Sequence, residues 1–125
     1  MNQMKKAGRP RPMEVWNAHL YFDDGSGAKN RPVIVLEKRG DAFTVLMVTT
    51  HGRSAATYFK LFDPYEVMLD QRSVVRTDRL FKLKEDEFNY KLGDLCPEDV
   101  DMMTIVLGKH KGTKAYKKND YRGDF

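Results

Sequence analysis

At 125 residues, 41% hydrophobic and 32% charged, the chain has the size and balance of one globular domain, which excludes a disordered protein. Its single cysteine, Cys96, excludes an internal disulfide and suits a reducing cytoplasm, and no apolar run nears the roughly 18–20 residues of a membrane span. The net charge of +4 sits at the ends: residues 1–12 hold four bases and no acid, residues 108–125 six bases against two acids. Such ends either add salt-sensitive attraction to phosphate or only keep a protein soluble, so charge by itself assigns no partner.

Residues 1–12, broken by Gly8, Pro10 and Pro12, read as a flexible basic arm, and no apolar stretch follows to make them a signal peptide. β-formers dominate residues 14–22, a strand with Val15, Asn17, His19 and Tyr21 on one face. Turn signals fill residues 23–30, which predicts a loop. Residues 32–37 are a short continuous apolar run, the pattern of a buried central strand. Arg39-Gly40-Asp41 supplies a tight turn, and residues 42–48 return as the antiparallel partner. A second polar loop covers residues 49–54. Residues 57–62 alternate as a half-exposed strand ended by Asp63-Pro64, and residues 67–69 and 73–75 add two short extended pieces.

Glu85-Asp86-Glu87 reads as a solvated turn. One helix follows, with Pro97 at its first position, Glu98 and Asp99 in its first turn, and Gly108 at its end. Val100, Met103, Val106 and Leu107 share a face that Met102 and Ile105 widen; such a Met-rich stripe is either core filler or a dimer or partner surface. Closely spaced strands and one helix predict a mainly β (α+β) fold. The expected form is a small curved antiparallel sheet or SH3-like barrel with a C-terminal α-helix. The domain is expected to span residues 13–108, with a basic tail over 109–125.

Several chemistries lack their residues. His19, His51, His110 and Cys96 are scattered with no pair at metal-ligand spacing, so neither a metal nor another cofactor is expected. Gly25-Ser26-Gly27 lacks the Lys-Ser/Thr of a phosphate loop, and the nucleophile-elbow pattern is missing. What remains is the hairpin. A turn centred near residue 40 sets Arg31 opposite Thr49 at one rim of the sheet, within roughly 5–6 Å at the backbone. A guanidinium beside the hydroxyls of Thr49 and Thr50 receives a phosphate well, because its fork of donors matches phosphate oxygens. RNA carries its own nucleophile in the 2′-hydroxyl, so cleavage there needs charge stabilisation and proton transfer but no metal. The plainer reading is a strand start at Arg-Pro and a strand end at Thr-Thr. His51 is either an extra acid or base or an inert loop histidine.

The same residues resemble the MazF/PemK family of RNA-cutting toxins from bacterial toxin–antitoxin pairs. Met13-Glu14-Val15-Trp16, a Gly-containing loop and Arg31-Pro32-Val33-Ile34-Val35 are similar to the family's opening. Met47-Val48-Thr49-Thr50, then Asp70-Gln71 with Ser73, Arg79-Leu80 and Leu92-Gly93-Asp94-Leu95 before the helix follow in the family's order. The resemblance implies a cytoplasmic homodimer whose interface forms a channel for single-stranded RNA, and a cognate antitoxin that covers it. It implies Arg31 and Thr49 as the catalytic pair, with Lys29, Asn30, Gln71 and Ser73 as second-rank RNA contacts; Thr50 and His51, next in the same loop, are further candidates for contacting RNA, although His51 has no counterpart in the family. Unlike the family's loop, residues 26–30 carry no acid. Two other functions fit such a barrel: a gyrase-inhibiting toxin of the CcdB type, acting through the terminal helix, and a silent nucleic-acid-binding or accessory domain. The CcdB helix ending is not visible in Val106-Leu107-Gly108.

Overall fold

The computed structural model describes residues 8–22, 25–50 and 58–111, with Tyr58 described by its backbone alone. The spine is a pair of long antiparallel strands, β1 (Glu14–Phe22) and β2 (Gly27–Arg39), in register from Val15↔Ile34 to Phe22↔Gly27. β2 therefore begins earlier than the turn-rich composition of residues 23–30 suggests. Ala28, Lys29 and Asn30 are strand rungs opposite Tyr21, Leu20 and His19, because Gly27 at φ +93° lets the chain reverse immediately after the hairpin tip. Gly40 (φ +64°) makes the next reversal, into β3 (Ala42–Thr49).

β3 is shared between two neighbours along its far edge. Its first half, Ala42 to Val45, pairs with β6 (Phe81–Lys84), while Val48 and Thr49 pair with β5 (Val74–Arg76). β4 (Tyr58–Lys60) borders β5, and β7 (Phe88–Asp94) borders β1. The seven strands form one antiparallel, unclosed sheet in the order β4-β5-β3-β2-β1-β7 with β6 beside β3. A single helix, α1 (Pro97–Lys111), closes the described chain. The mainly β sheet with a C-terminal helix is thus as the sequence indicates.

Burying β1, β2 and β3 on both faces makes two cores. Inside the curve lie Trp16, Ala18, Leu20, Val33, Val35, Phe43, Val45, Met47, Phe81, Leu83 and Phe88. The outer cluster joins Val15, Ile34, Leu36, Leu46 and Val48 to Leu61, Val67, Val75, Leu80, Leu95 and Met103 of α1. A continuous apolar run is what a strand covered on both sides requires, which is why residues 32–37 and 42–48 show no alternation. Asp99, fully buried in the first turn of α1, accepts the backbone N–H of Phe62 (2.8 Å) and of Asp63 (3.2 Å), so a carboxylate pins the helix to the segment before it.

Several local expectations change. Residues 67–69 are not extended: Pro64 starts a 3₁₀ turn over Tyr65–Val67, and Met68 follows in the left-handed region at φ 58°. α1 passes Gly108 and runs to Lys111, because its last turn is held by His110 Nε2 against the Thr77 carbonyl (2.7 Å) and by Lys111 Nζ at 3.2 Å from Glu37. Met102 and Ile105 do not widen the buried stripe; they are exposed. β6 and β7 escape a reading by composition, the first because it is four residues long, the second because two register shifts against β1 break its pattern. Residues 8–12 lie against the body, with Pro10 buried and the Arg11 N–H on Glu14 Oε1 (2.9 Å).

A cleft where two strands part

The β2–β3 ladder confirms the arithmetic of the hairpin, with Val33↔Met47, Ile34↔Leu46 and Val35↔Val45. It stops at Val33, two residues short of Arg31. The cause is the double allegiance of β3, whose last residues turn away to pair with β5. Where the strands part, a cleft of about 210 Å³ opens between Arg31 and Pro32 on one side and Val48, Thr49 and Thr50 on the other, with Ser73 at the start of β5.

Arg31 is half-buried, and among the described residues no carboxylate forms an ion pair with it. Ser73 is almost fully buried at 2% exposure, Thr49 half-buried and Thr50 exposed. One permanent cation therefore faces three hydroxyl-bearing residues across a small concave space, while Pro32 and Val48 supply apolar lining. Partial burial lowers the local dielectric, which strengthens the pull of the guanidinium on any anion that enters. A phosphate is the anion whose geometry this donor set matches.

Four of the eight residues singled out from the sequence (Arg31, Thr49, Thr50 and Ser73) line this cleft. Lys29 and Asn30 stand on neighbouring rungs of β2 outside it, both exposed. Gln71 is engaged elsewhere, its Oε1 accepting the Tyr65 hydroxyl (2.9 Å) and its carbonyl accepting Lys60 Nζ (2.7 Å). His51 lies outside the described residues. Sequence reading passes over Arg76, next to Val75, the partner of Val48. Arg76 is clamped by Asp78 through two bonds of 2.7 and 3.2 Å. Burial works against ionisation of Asp78, but the hydrogen bonds and charge of Arg76 outweigh it and hold the carboxyl below its usual range. The only sequence signal for this pair is an Arg-x-Asp spacing at a strand end.

No group of three or more His, Cys, Asp and Glu side chains among the described residues stands close enough to hold a metal ion. Nor is any helix there long and apolar enough to cross a membrane.

An unclosed antiparallel sheet buried on both faces, backed by a C-terminal helix and parted at the end of its third strand, defines a compact mainly β domain of one recognisable class. Residues 11–110 match the PemK-like, MazF-like toxin of type II toxin-antitoxin systems, and the chain belongs to that family. Solved structures agree at the level of fold. MazE-MazF from Deinococcus radiodurans superposes with a TM-score of 0.66 at 15% identity, over 86% of this chain and 100% of that one. An endoribonuclease from a mycobacterial species gives 0.63 at 17% identity, over 86% and 95%. The Mycobacterium tuberculosis toxin MazF-mt6 gives 0.61 at 24% identity, over 77% and 93%. No curated protein matches this chain significantly in sequence.

Proposed function

We propose that the chain is the toxin of a toxin–antitoxin pair and acts in the cytoplasm as a metal-independent endoribonuclease on single-stranded RNA, with the cleft between β2 and β3 as its active site. The observation that carries this reading is the meeting of Arg31, Thr49, Thr50 and Ser73 in one cleft within a chain of this family. The 2′-hydroxyl of the substrate gives up its proton as its oxygen attacks the adjacent phosphorus, the bond to the 5′-oxygen breaks and that oxygen takes up a proton, leaving a 2′,3′-cyclic phosphate and a 5′-hydroxyl. Arg31 neutralises the charge that builds on the equatorial oxygens, and the Thr49 hydroxyl hydrogen-bonds one of them. A guanidinium and hydroxyls supply this stabilisation without a Lewis acid. Lys29, Asn30, Gln71 and His51 contact the RNA further out. The working form is a homodimer, and a cognate antitoxin blocks the RNA site; structures with such partners exist among the fold relatives, as in an endoribonuclease in complex with its cognate antitoxin from a mycobacterial species.

The test incubates purified protein and an Arg31→Ala variant with single-stranded RNA in EDTA. Wild type cuts, and Arg31→Ala is slower by about 10²–10³-fold, the loss typical of one charge-stabilising donor. Equal cutting by both proteins removes Arg31 from the active site, and no cutting of any RNA by wild type removes the nuclease.

A further inference from the structure

A second and larger cleft, about 770 Å³, lies on the outer face of the sheet. His19, Tyr21 and Asn89 line one end, with Lys82 and Lys84 across from them. These side chains face outward because their alternates, Ala18, Leu20, Phe81 and Leu83, fill the inner core. Tyr21 is 64% exposed, an unusual position for a large ring on a regular strand, and its ring stands perpendicular to that of His19 (88°, centroids 5.0 Å apart). The pair forms a fixed aromatic corner with open ring surface.

An amide network stands beside the corner. Asn89 Nδ2 donates to Asn17 Oδ1 (2.7 Å) and to Asn30 Oδ1 (3.2 Å), and His19 Nδ1 lies 3.0 Å from the same Asn30 oxygen. An oxygen can only accept, so Nδ1 carries the proton and Nε2 is left as the acceptor of the neutral ring. The amide NH₂ groups of Asn17 and Asn30 remain as donors. Asn17, His19 and Asn30 are paired rungs of β1 and β2, and Asn89 is the residue skipped at a register shift of β7 against β1, held by its two amide bonds. Base edges are read by such sets, and base faces by exposed aromatic rings. Lys82 and Lys84 form no ion pair among the described residues and would meet phosphate oxygens. Three carboxylates, Asp41, Asp86 and Glu87, share the lining with the two lysines and would repel a longer phosphate track, so the cleft suits a single nucleotide held mainly by its base.

We propose that this cleft is a specificity subsite that holds a nucleotide flanking the scissile phosphate, its base stacked on Tyr21 and its edge read by His19, Asn30 and Asn89. The proposal rests on the reading of the Arg31 cleft as the cutting site. The two clefts lie on opposite faces, since Arg31 pairs with the inner-core residue Ala18 while Asn30 pairs with His19 on the next rung, and they communicate around the edge of β2 that the β3 ladder leaves open beyond Val33 among the described residues. A strand of RNA crosses that edge from the Arg31 side to the His19 side. The two strands beneath it are only about 5 Å apart.

The experiment compares wild type, Tyr21→Ala, Tyr21→Phe and Asn89→Ala on single-stranded RNA of increasing length, from a dinucleotide to a 12-mer. Cleavage of the dinucleotide, too short to reach the subsite, is expected to be equal in all four. Cleavage of longer RNA falls about tenfold in Tyr21→Ala, the typical loss of one base stack, and is retained in Tyr21→Phe. Asn89→Ala relaxes base preference at one position beside the cut, read by sequencing the products. If wild type cuts and the variants match it in rate and preference at every length, the subsite is overturned while the nuclease stands. If no RNA is cut, binding of a fluorescent 12-mer still decides: weaker binding by Tyr21→Ala keeps the subsite without the nuclease, and equal or absent binding overturns it.

Discussion

Inside the sheet's curve, aromatic rings do the packing: Trp16 and Phe43 both meet Phe88 edge to face, at 5.8 and 5.2 Å between centroids, and Phe22 meets Phe81 at 6.1 Å. On the outer side of the same strands, every buried member is aliphatic or methionine. The inner core is supplied largely by hairpin neighbours in β1, β2 and β3. The outer one gathers remote segments and depends on one carboxylate reaching across 36 and 37 residues, from Asp99 to Asp63 and Phe62. One region is closed by shape, the other by a tether, and the Arg31 cleft opens where β3 leaves β2 to pair with β5, whose Val75 belongs to the outer cluster. The active-site candidate therefore borders the layer that local contacts hold less.

Substitutions separate the two regions. Trp16→Ala removes the largest fully buried side chain and the donor to Glu14 Oε1 (2.8 Å), and is expected to cost about 3–5 kcal/mol, read as a fall in the urea midpoint for the whole domain. Asp99→Ala leaves two backbone N–H groups without their acceptor and is expected to cost about 2–3 kcal/mol. Its signature differs: amide exchange quickens around Phe62 and in α1 while the β1–β2 amides stay protected. Uniform loss of protection would show that the outer layer is no separate unit. Gly93→Ala places a Cβ 2.9 Å from the Glu66 carbonyl, pressing β7 against the 3₁₀ turn, and costs about 1–3 kcal/mol in thermal melting.

The smallest effect is chemical. Burial pushes the Cys96 thiol up, and the Asp99 carboxylate beside it adds to this, its Oδ2 being 3.3 Å from Sγ. The thiolate is the reactive form, so alkylation is slower than for a free cysteine at pH 8, and its pH profile lies to the alkaline side. Asp99→Ala moves that profile back toward lower pH. An unmoved profile would mean that burial alone sets the thiol.

How far the sequence speaks can be judged at single residues. Continuous apolar runs in β2 and β3, the Arg39-Gly40-Asp41 turn and Pro97 at the helix start are local signals, and each element is present there, although β2 starts at Gly27 and α1 runs on to Lys111. The register near Val33 was legible too, since a turn fixes the pairing of its own hairpin. The early end of that ladder was not. It depends on β5, some 25 residues further along, competing for the last residues of β3. The outer cleft was equally hidden: His19 and Asn89 are 70 residues apart, and only the pairing of β1 with β7 brings their amide network together.

The terminal strands of the sheet carry one more consequence. β4 covers three described residues, and β7 is thrown out of register twice against β1. Among the described residues, neither offers the long flat row of unpaired backbone groups on which another chain could extend the sheet. Edge-to-edge aggregation is thereby discouraged, and binders are steered toward the molecule's faces and clefts, where side chains can discriminate among them.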